Sequence, residues 1–528
     1  MVSVRAPLLL VAAAVVALCC SSTSAAARVH PSVHRTLRAQ GTVNIIVSFA
    51  ASTESVINSA KEVEFVTRGA KIADLVHRLE NHASTSQAAL NELVNDSSRR
   101  LESSLYTSKT SFWITNQVYF QGATYELIEK LSTLDGVSEI AEERIITLAA
   151  PTASLAANSS APEAGLGVNQ WGVVRIGAPE VWDKGYTGQG VTVGLIDTGV
   201  FREHSTLTGN FRADRGWYDP YGKTAAPFDD NGHGTHVAGT LVGAGGVGVA
   251  PGTTWIACKG CSFDGTTETC TDASLIACGQ FMTCPTDATG ASKDCSKAPH
   301  IVSNSWSSGP TATFFDGVVS AWRAAGIVPV FAIGNKGPAC GTANAPGNLA
   351  TVIGVGGTNT DDAMYSSSSK GPTAKGLVKP DIAAPGKDVY SASNTNPSYY
   401  TYKSGTSMAT PHISGVVALL LSARPSLTFD EIKTAMFTTA ERALLDTSAA
   451  SCGGTPSSVF PNNQYGNGRV NALAALNKVL SVTSAPSPVP DTPAPTTPAP
   501  TTPVPTTPAP AIPAPTTPAP TTPSPTTP

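Results

Sequence analysis

Residues 193–200 read Val-Gly-Leu-Ile-Asp-Thr-Gly-Val, a nearly continuous apolar strand that ends at a carboxylate. Residues 327–333, Ile-Val-Pro-Val-Phe-Ala-Ile, have the same apolar character. Runs of this kind are typical of strands that are buried on both faces of a parallel sheet. Because ligands bind at the carboxyl ends of such strands, Asp197 is a candidate functional residue. An Asp at this place is also common as a turn or helix-cap residue.

The same pattern extends over residues 169–481, where short β-rich runs alternate with helical stretches. The predicted strands are 191–196, 254–258, 300–303, 328–333 and 351–355. The predicted helices are 235–242, 274–283, 315–325, 408–422 and 429–439. Such alternation predicts the α/β class, with a mostly parallel sheet and helices on both of its faces.

A second motif, Asn-Gly-His-Gly-Thr-His-Val-Ala-Gly at 231–239, places two histidines three residues apart. Its glycines allow the backbone and a substrate to come close. A helix that begins near Gly234 puts His233 at its N-terminus. There the helix dipole disfavours an imidazolium, so a buried carboxylate would have to compensate. His233 and His236 could instead bind a metal, although no further His or Cys nearby completes a ligand set.

Two further motifs supply a hydroxyl and an amide. Residues 404–412 read Ser-Gly-Thr-Ser-Met-Ala-Thr-Pro-His, so Ser407 opens an apolar helix and its backbone N–H points outward unpaired. A serine at this position can also be simply an N-cap. Asn335 follows another apolar strand, and its amide can donate to an oxyanion or serve only as a turn residue.

Residues 28–150 form a separate block ahead of this sheet. The patterning predicts strands at 43–49, at 112–120 as a pair and at 137–148, with helices at 70–95 and 125–134. The order β-α-β-β-α-β is that of a small ferredoxin-like α+β unit. Residues 151–168 are Ala, Ser, Pro and Gly without periodicity, which indicates an exposed linker and a place for proteolytic maturation.

The two ends of the chain indicate a secreted, extracellular protein. Arg5 precedes an apolar run at 8–20 and then a small-residue site, so residues 1–27 are predicted to be a signal peptide. The run is shorter than the roughly 20 residues of a membrane span. Residues 482–528 hold 18 prolines between Pro486 and Pro528, which predicts a disordered Pro/Thr-rich tail. Thr beside Pro suggests O-glycosylation and possible attachment to a cell wall; an unmodified spacer is the alternative.

Cysteines and glycosylation triplets agree with secretion. Eight cysteines remain after the signal peptide, at 258, 261, 270, 278, 284, 295, 340 and 452. In a secreted protein they predict up to four disulfides, whose 105 pairings the sequence leaves open. A zinc site at 258–261 lacks a second ligand pair. Asn95 and Asn158 begin N-glycosylation triplets.

Composition limits the partners. The chain of 528 residues is 41% hydrophobic and 14% charged, with a net charge of −4. This is sufficient apolar material for a large core, and it excludes a chain that is disordered throughout. The absence of a polybasic block in the sequence argues against nucleic acid and anionic membranes as partners.

Taken together, the motifs resemble those of the subtilisin-like serine peptidases. The resemblance rests on Asp-Thr-Gly at 197–199, Gly-His-Gly-Thr-His-Val-Ala-Gly at 232–239, Gly-Asn at 334–335 and Gly-Thr-Ser-Met-Ala-Thr-Pro-His at 405–412, in the order Asp, His, Ser. It covers about 170–480. Trp-Ile-Ala-Cys-Lys at 255–259, followed by a long insert and Asn-Ser-Trp, looks closest to the bacillopeptidase F-like branch.

The resemblance implies catalytic roles. Ser407 Oγ would be the nucleophile, and His233 would take its proton and later protonate the leaving amine. Asp197 would hold the imidazole in the right tautomer. The Asn335 side chain and the Ser407 N–H would form the oxyanion hole.

It also implies how substrates bind. Residues 305–307 would line S1 and pair with the substrate backbone, with Gly334 beside them, and residues 265–267 would be the facing strand. The residues concerned are Ser305, Trp306, Ser307, Gly265, Thr266, Thr267 and Gly334. Main-chain pairing implies broad specificity. No charge is expected in S1, and hence no strong demand for Arg or Lys at P1.

The calcium-binding loop of the family is not expected in this sequence. Residues 239–251 are too short for the strong calcium loop and carry no oxygen-bearing side chain after Thr240. Asp361 and Asp362 are weak candidates for another calcium site. The chemistry itself needs no cofactor. Six cysteines lie between 258 and 295, and we expect disulfides to stiffen this insert in place of the ion.

The N-terminal block, 28–150, resembles the family's inhibitory propeptide. The resemblance therefore implies a self-processed zymogen whose partners are protein substrates and its own propeptide. Two other functions remain open. One is a wall or matrix glycoprotein with a catalytically passive protease-like module, and the other is ester hydrolysis or peptide ligation by the same residues.

Overall fold

The computed structural model describes residues 26–99, 104–148, 152–153, 167–263, 265–448 and 451–482. Apart from their margins, the predicted signal peptide, the linker and the Pro/Thr-rich tail lie outside the described residues, as does Asn158. The described parts lie within one compact unit that extends to Thr483.

The N-terminal block contains β1 (Arg28–Val29), α1 (Pro31–Gln40), β2 (Val43–Phe49), α2 (Glu54–Lys61), α3 (Arg68–Ser86), α4 (Ala88–Arg99), β3 (Ser108–Phe112), β4 (Gln117–Ala123), α5 (Tyr125–Ser132) and β5 (Val137–Glu142). Its sheet has the order β1-β5-β2-β4-β3. β2 pairs antiparallel with β4 and with β5, and β3 pairs antiparallel with β4. This order confirms the ferredoxin-like prediction. The helix predicted at 70–95 is two helices, because the Gln87 side chain turns inward to donate to Asn116.

Two short strands follow, β6 (Ile145–Thr147) and β7 (Thr152–Ala153). The second block then contains α6 (Trp171–Arg175), α7 (Ala178–Trp182), β8 (Thr192–Asp197), β9 (Trp217–Tyr218), α8 (His233–Val242), β10 (Thr254–Lys259), β11 (Cys261–Phe263), β12 (Glu268–Thr271), α9 (Asp272–Thr283), β13 (Ile301–Asn304), α10 (Asp316–Ala324), β14 (Val328–Ala332), β15 (Ile353–Thr358), β16 (Ile382–Pro385), β17 (Val389–Ala392), β18 (Tyr400–Ser404), α11 (Thr406–Ala423), α12 (Phe429–Thr438) and α13 (Ala472–Val482).

A parallel seven-stranded sheet organises this block, with the order β16-β15-β14-β13-β8-β10-β9. The five predicted strands and five predicted helices are confirmed within a few residues. Strands β9 and β16 of this sheet were not predicted from the sequence. Each is too short for its pattern to stand out, at two and four residues.

Two apolar cores cover the two faces of the sheet. One joins the sheet to α8, α11, α12 and α13, and the other joins it to α9 and α10. The chain runs from β8 to β9 and β10 on one side, and returns to β13 on the other side. This switch point opens a crevice beyond the carboxyl ends of β8 and β13, which is where ligands bind in such sheets.

The N-terminal block packs on the face formed by α9 and α10. Ile57 and Leu75 belong to the same apolar core as Phe315 and Trp322. Arg68, at the start of α3, donates from Nη1 to the Ala298 carbonyl at 2.8 Å and from Nη2 to the Pro299 carbonyl at 2.5 Å. The N-terminal block also joins the second block through β6, which pairs with β12, and the linker joins it through β7, which pairs with β18.

The eight cysteines in the described part of the chain all form disulfides, namely Cys258–Cys278, Cys261–Cys270, Cys284–Cys295 and Cys340–Cys452. Three of them cross-link the insert at 258–295, as the sequence led us to expect.

Within the described part of the chain, α11 alone has the length and hydropathy of a membrane-spanning helix. Most of it, 89%, is buried inside the structure. It is therefore the central core helix of the second block.

Candidate active site

The carboxylate at the end of the central strand contacts the first histidine of the second motif. Asp197 is the last residue of β8, and His233 is the first residue of α8. Nδ1 of His233 lies 2.7 Å from Oδ1 of Asp197, and both side chains are buried. An ionised carboxylate only accepts hydrogen bonds, so this contact keeps a proton on Nδ1 and leaves Nε2 as the basic nitrogen.

Burial and charge act in opposite directions on this imidazole. Burial lowers the pKa of His233, whereas the charge and the hydrogen bond of Asp197 raise it, and the net result is a raised pKa. Glu268 adds to the rise and Lys403 opposes it. The compensating carboxylate that the sequence required beside His233 is thus present.

The loop before α8 is held in place by a third carboxylate. Asp229 accepts hydrogen bonds from Thr198 Oγ1 at 2.9 Å and from the Gly232 N–H at 2.8 Å. Gly232 has φ +90°, and an added Cβ would lie 2.4 Å from Asn394 Oδ1. A glycine is therefore needed immediately before His233.

Ser407 lies in the first turn of α11, which packs against α8. Its Oγ donates to the Ser305 carbonyl at 2.9 Å. Nε2 of His233 is buried and has no hydrogen-bond partner within the described part of the chain. The proton transfer expected between Ser407 and His233 therefore requires that the hydroxyl turn away from Ser305.

Asn335 is oriented by the start of the same helix. Its Oδ1 accepts from the Thr406 N–H at 2.9 Å and from Thr406 Oγ1 at 3.0 Å. A backbone N–H can only donate, so this contact identifies Oδ1 and leaves Nδ2 as the donor. Gly334, directly before it, has φ +106°, and an added Cβ would lie 2.9 Å from Asn344 Nδ2.

A cavity of about 590 Å³ opens beside Ser407 and Asn335. The N-terminal block contributes Ile145, Ile146 and Leu148 to its lining. The second block contributes 305–310, 332, 334–336, 341–342, 344 and 406–407. The predicted residues Ser305, Trp306, Ser307 and Gly334 are all among them. The expectation of a cavity without charge is wrong, because the exposed Lys336 also lines it.

The strand facing residues 305–307 differs from the prediction. Gly265, Thr266 and Thr267 form the turn between β11 and β12, not a strand. The Cys261–Cys270 disulfide joins residues that are paired in the β11–β12 hairpin, and the strand after the turn is Glu268–Thr271. That strand is the one that pairs with β6.

One of the two calcium candidates, Asp362, already has cationic partners. Asp362 is fully buried, with its carboxylate 3.0 Å from Arg175 Nη2 and 2.7 Å from Arg469 Nε. Two guanidinium groups oppose the binding of a cation to the same carboxylate. The exposed Asp361 donates its backbone N–H to Asn359.

Sequence reasoning missed Glu268 and Lys403. Oxygen and nitrogen atoms of Glu268, Asp197 and His233 lie within 4.8 Å of one another. These three could be considered for a metal, but the hydrogen bond between Asp197 and His233 already uses one atom of each. The alternating Glu-Thr-Cys-Thr run could have revealed Glu268, because alternation puts it on the same inward face as Cys270.

The fold and the site have the features of the Asp–His–Ser class of hydrolases, at the switch point of a parallel α/β sheet. The model of the subtilase family matches residues 188–468. The chain belongs to this family.

Three relatives illustrate the range of the similarity. Bacillopeptidase F of Bacillus subtilis (strain 168) is 36% identical over 394 residues, which are 70% of this chain and 26% of that protein. Serine protease AprX of the same organism is 36% identical over 285 residues, 47% of this chain and 60% of AprX. Subtilisin Savinase of Lederbergia lenta is 34% identical over 313 residues, 58% of this chain and 97% of Savinase. The chain thus spans about a quarter of bacillopeptidase F and nearly all of Savinase.

Proposed function

We propose that this protein is a secreted serine endopeptidase that is made as a self-processed zymogen. The observation that carries the proposal is the 2.7 Å hydrogen bond between His233 and Asp197, at the sheet edge where Ser407 and Asn335 line one cavity. These groups provide a nucleophile, a base, an orienting carboxylate and an oxyanion donor. They suffice for acyl transfer, so the proposed chemistry needs no cofactor.

In the proposed mechanism, the Ser407 hydroxyl turns from Ser305 towards Nε2 of His233 and attacks the scissile carbonyl while His233 takes its proton. Asn335 Nδ2 and the Ser407 N–H stabilise the oxyanion. His233 then protonates the leaving amine, and an acyl-enzyme forms on Ser407. Water, deprotonated by the same imidazole, releases the acid. Asp197 stabilises the imidazolium in both steps.

Substrates would bind as an added strand. Residues 305–307 line the cavity, and so does β6 of the N-terminal block, which is paired with β12 as an added strand. Pairing through main-chain groups supports the broad specificity that we propose.

The path of the N-terminal block supports a zymogen. β6 pairs with β12 on one side of the cavity, and β7 pairs with β18, which leads directly into Ser407. Residues 149–151 connect the two strands. We propose that the chain is cut between Leu148 and Thr152, and that the N-terminal block then remains bound as an inhibitor. The apolar run at 8–20 supports secretion, and the Pro/Thr-rich tail supports contact with a cell wall.

Secretion of wild type beside Ser407→Ala tests the proposal. We expect wild type to begin at a new N-terminus between 148 and 152 and to hydrolyse casein. The variant should keep its N-terminal block covalently attached and lose about 10⁶ in turnover, the loss known for the nucleophile of subtilisin, a member of the same family.

Ser398→Ala, at an exposed serine, is the matched control and should behave as wild type. If wild type neither processes itself nor cleaves casein, the passive glycoprotein module becomes the better description.

A further inference from the structure

Glu268 is a buried carboxylate that the proposed mechanism does not use. It is the first residue of β12, with 7% of its surface exposed. Its Oε1 has no hydrogen-bond partner in the part of the chain that the structure describes. Burying an unpaired carboxylate is costly, so a site that keeps one favours a ligand that would pair with it.

The neighbour of Glu268 in the added strand is Leu148. Ile146 pairs with Cys270 in the antiparallel ladder between β6 and β12, and the Leu148 N–H donates to the Glu268 carbonyl at 3.3 Å. Leu148 therefore stands directly opposite Glu268, and their side chains project from the same face. A substrate strand that replaces this segment would place one side chain against the carboxylate.

The charges around this position favour a cation. Two further carboxylates, those of Asp197 and Asp229, lie close enough to raise the pKa of Glu268. Together with Glu268 they make three acidic groups at this position. One ammonium opposes them, that of Lys403, whose Nζ donates to the Gly232 carbonyl at 2.9 Å. His233 also acts on Glu268. When the imidazole of His233 is neutral, the net charge of these groups is negative.

An apolar neighbour leaves the carboxylate poorly solvated. Burial, the largest effect, raises the pKa of Glu268 to about 7, so with Leu148 opposite it the group tends to take up a proton. A cation in place of the leucine would instead pair with the ionised form. An opposite-charge pair across two strands is favourable, and more so when it is buried.

We propose that Glu268 selects Lys or Arg at the substrate position that takes the place of Leu148. The inference rests on the proposed peptidase function. Substrates would bind mainly through their main chain, and Glu268 would add a preference for one side chain. The enzyme's own N-terminal block has leucine there, so a substrate with Lys would gain a contact that the inhibitor lacks.

Quenched peptides copying residues 144–153, with Leu, Lys, Gln or Glu at the fifth position, which corresponds to Leu148, test the proposal on the matured wild-type enzyme. They differ by one residue, and mass spectrometry confirms that all are cut at the same bond. At about pH 8, where the carboxylate is ionised, we expect kcat/KM for Lys to exceed that for Leu by about fivefold or more, and Glu to be the poorest.

Glu268→Gln should reduce the Lys-to-Leu ratio of kcat/KM to about one. Asp183→Asn, which removes an exposed carboxylate elsewhere, should keep the wild-type ratio. Equal rates for Lys and Leu in wild type, or a ratio unchanged in Glu268→Gln, would overturn the inference. An equal loss on all peptides would also overturn it and would make Glu268 a positioning residue for His233.

If Glu268→Gln is not secreted, the ratio of kcat/KM for the Lys peptide to that for the Leu peptide in wild type tests the proposal by itself. Cleavage of casein distinguishes failure of the proposed role of Glu268 from failure of the proposed peptidase function. Casein cleavage with a flat peptide series rejects only the role of Glu268, whereas no cleavage of casein or of any peptide rejects the peptidase function.

Discussion

At the scale of single residues, the hydrogen bond between His233 and Asp197 decides which nitrogen is basic and at what pH. Asp197→Asn should reduce kcat by about 10⁴, because an amide can orient the ring in the wrong tautomer and no longer stabilises the imidazolium. The pH profile of kcat/KM adds a second readout.

Only the neutral imidazole can act as base, so activity is lost as the pH falls through the pKa of His233. That pKa is raised above its ordinary value of 6.5, so we expect the acid limb of wild type to lie above pH 6.5. Removing the charge of Asp197 should move the limb to lower pH. A limb that stays in place would contradict the assigned electrostatic role.

Asn335 gives a second residue-scale prediction. Asn335→Ala removes the Nδ2 donor and should lower kcat by about 10²–10³ with little change in KM, because the contact forms in the transition state. Thr406→Val provides a comparison: it removes only the Oγ1 contact to Oδ1 and keeps the backbone contact at 2.9 Å. It should cost much less. A loss seen mainly in KM would contradict an oxyanion role.

At the scale of residues, the sequence predicted those functional side chains whose residue type and place at the end of a strand or helix are both recognisable. The pairing of Asp197 and His233 follows from a strand end and a helix start, which the patterning predicts. Alternation in β12 could indicate that Glu268 faces inward, but it does not place Glu268 beside His233. Lys336 is a single charged residue in a loop, and its position at the cavity depends on tertiary packing.

At the scale of elements, the patterning predicts strands well but not their partners. Residues Gly265–Thr267 were predicted as the strand that faces 305–307, but they form the turn directly before β12. The difference arises from the Cys261–Cys270 pair, which fixes the register of the β11–β12 hairpin. Because eight cysteines allow 105 pairings, the sequence could not supply that register.

The contact between α3 and the second block predicts how firmly the N-terminal block is held. Arg68 donates to two backbone carbonyls, at 298 and 299, and burial lowers its pKa to about 10. Arg68→Ala in the full chain would leave both carbonyls without this donor, so the cleaved block should dissociate about 10- to 100-fold more readily. Casein activity should then appear earlier after secretion.

Arg38→Ala, at an exposed position of α1, is the control and should not change that delay. An unchanged delay in Arg68→Ala would mean that the apolar contacts of α2 and α3 hold the block without this arginine.

The disulfide at Cys340 links the cavity wall to a distant part of the chain. Cys340 adjoins Gly341 and Thr342, which line the cavity, and its partner Cys452 lies 112 residues away. Replacing both cysteines by serine should lower stability by roughly 2–5 kcal/mol and raise KM, because the wall loses its anchor.

Replacing Cys284 and Cys295 by serine is the matched control. That pair closes a short loop against α3, outside the residues that line the cavity, so Tm should fall without a change in KM. An unchanged KM in the first variant would show that the wall does not depend on its cross-link.

At the scale of the whole molecule, the second block is closed by contacts between segments far apart in sequence. Asp362 joins Arg175, at the end of α6, to Arg469, close to the start of α13. Nη1 of Arg469 also donates to the Arg175 carbonyl at 2.7 Å. These ion pairs occupy the carboxylate that the sequence offered as a calcium ligand. No local pattern could have shown this, because the partners lie 187 residues before it and 107 after it.

Asp362→Asn should therefore destabilise the protein by about 3–5 kcal/mol, because it leaves two guanidinium groups near a buried position without a counter-charge. Asp361→Asn, at the exposed neighbour, should change stability by no more than about 0.5 kcal/mol. Thermal unfolding of both variants and of wild type, in calcium and in a chelator, distinguishes the two roles of Asp362. If the carboxylate neutralises the arginines, the difference in Tm between wild type and Asp362→Asn is the same in both conditions. If it binds calcium, the difference appears only when calcium is present.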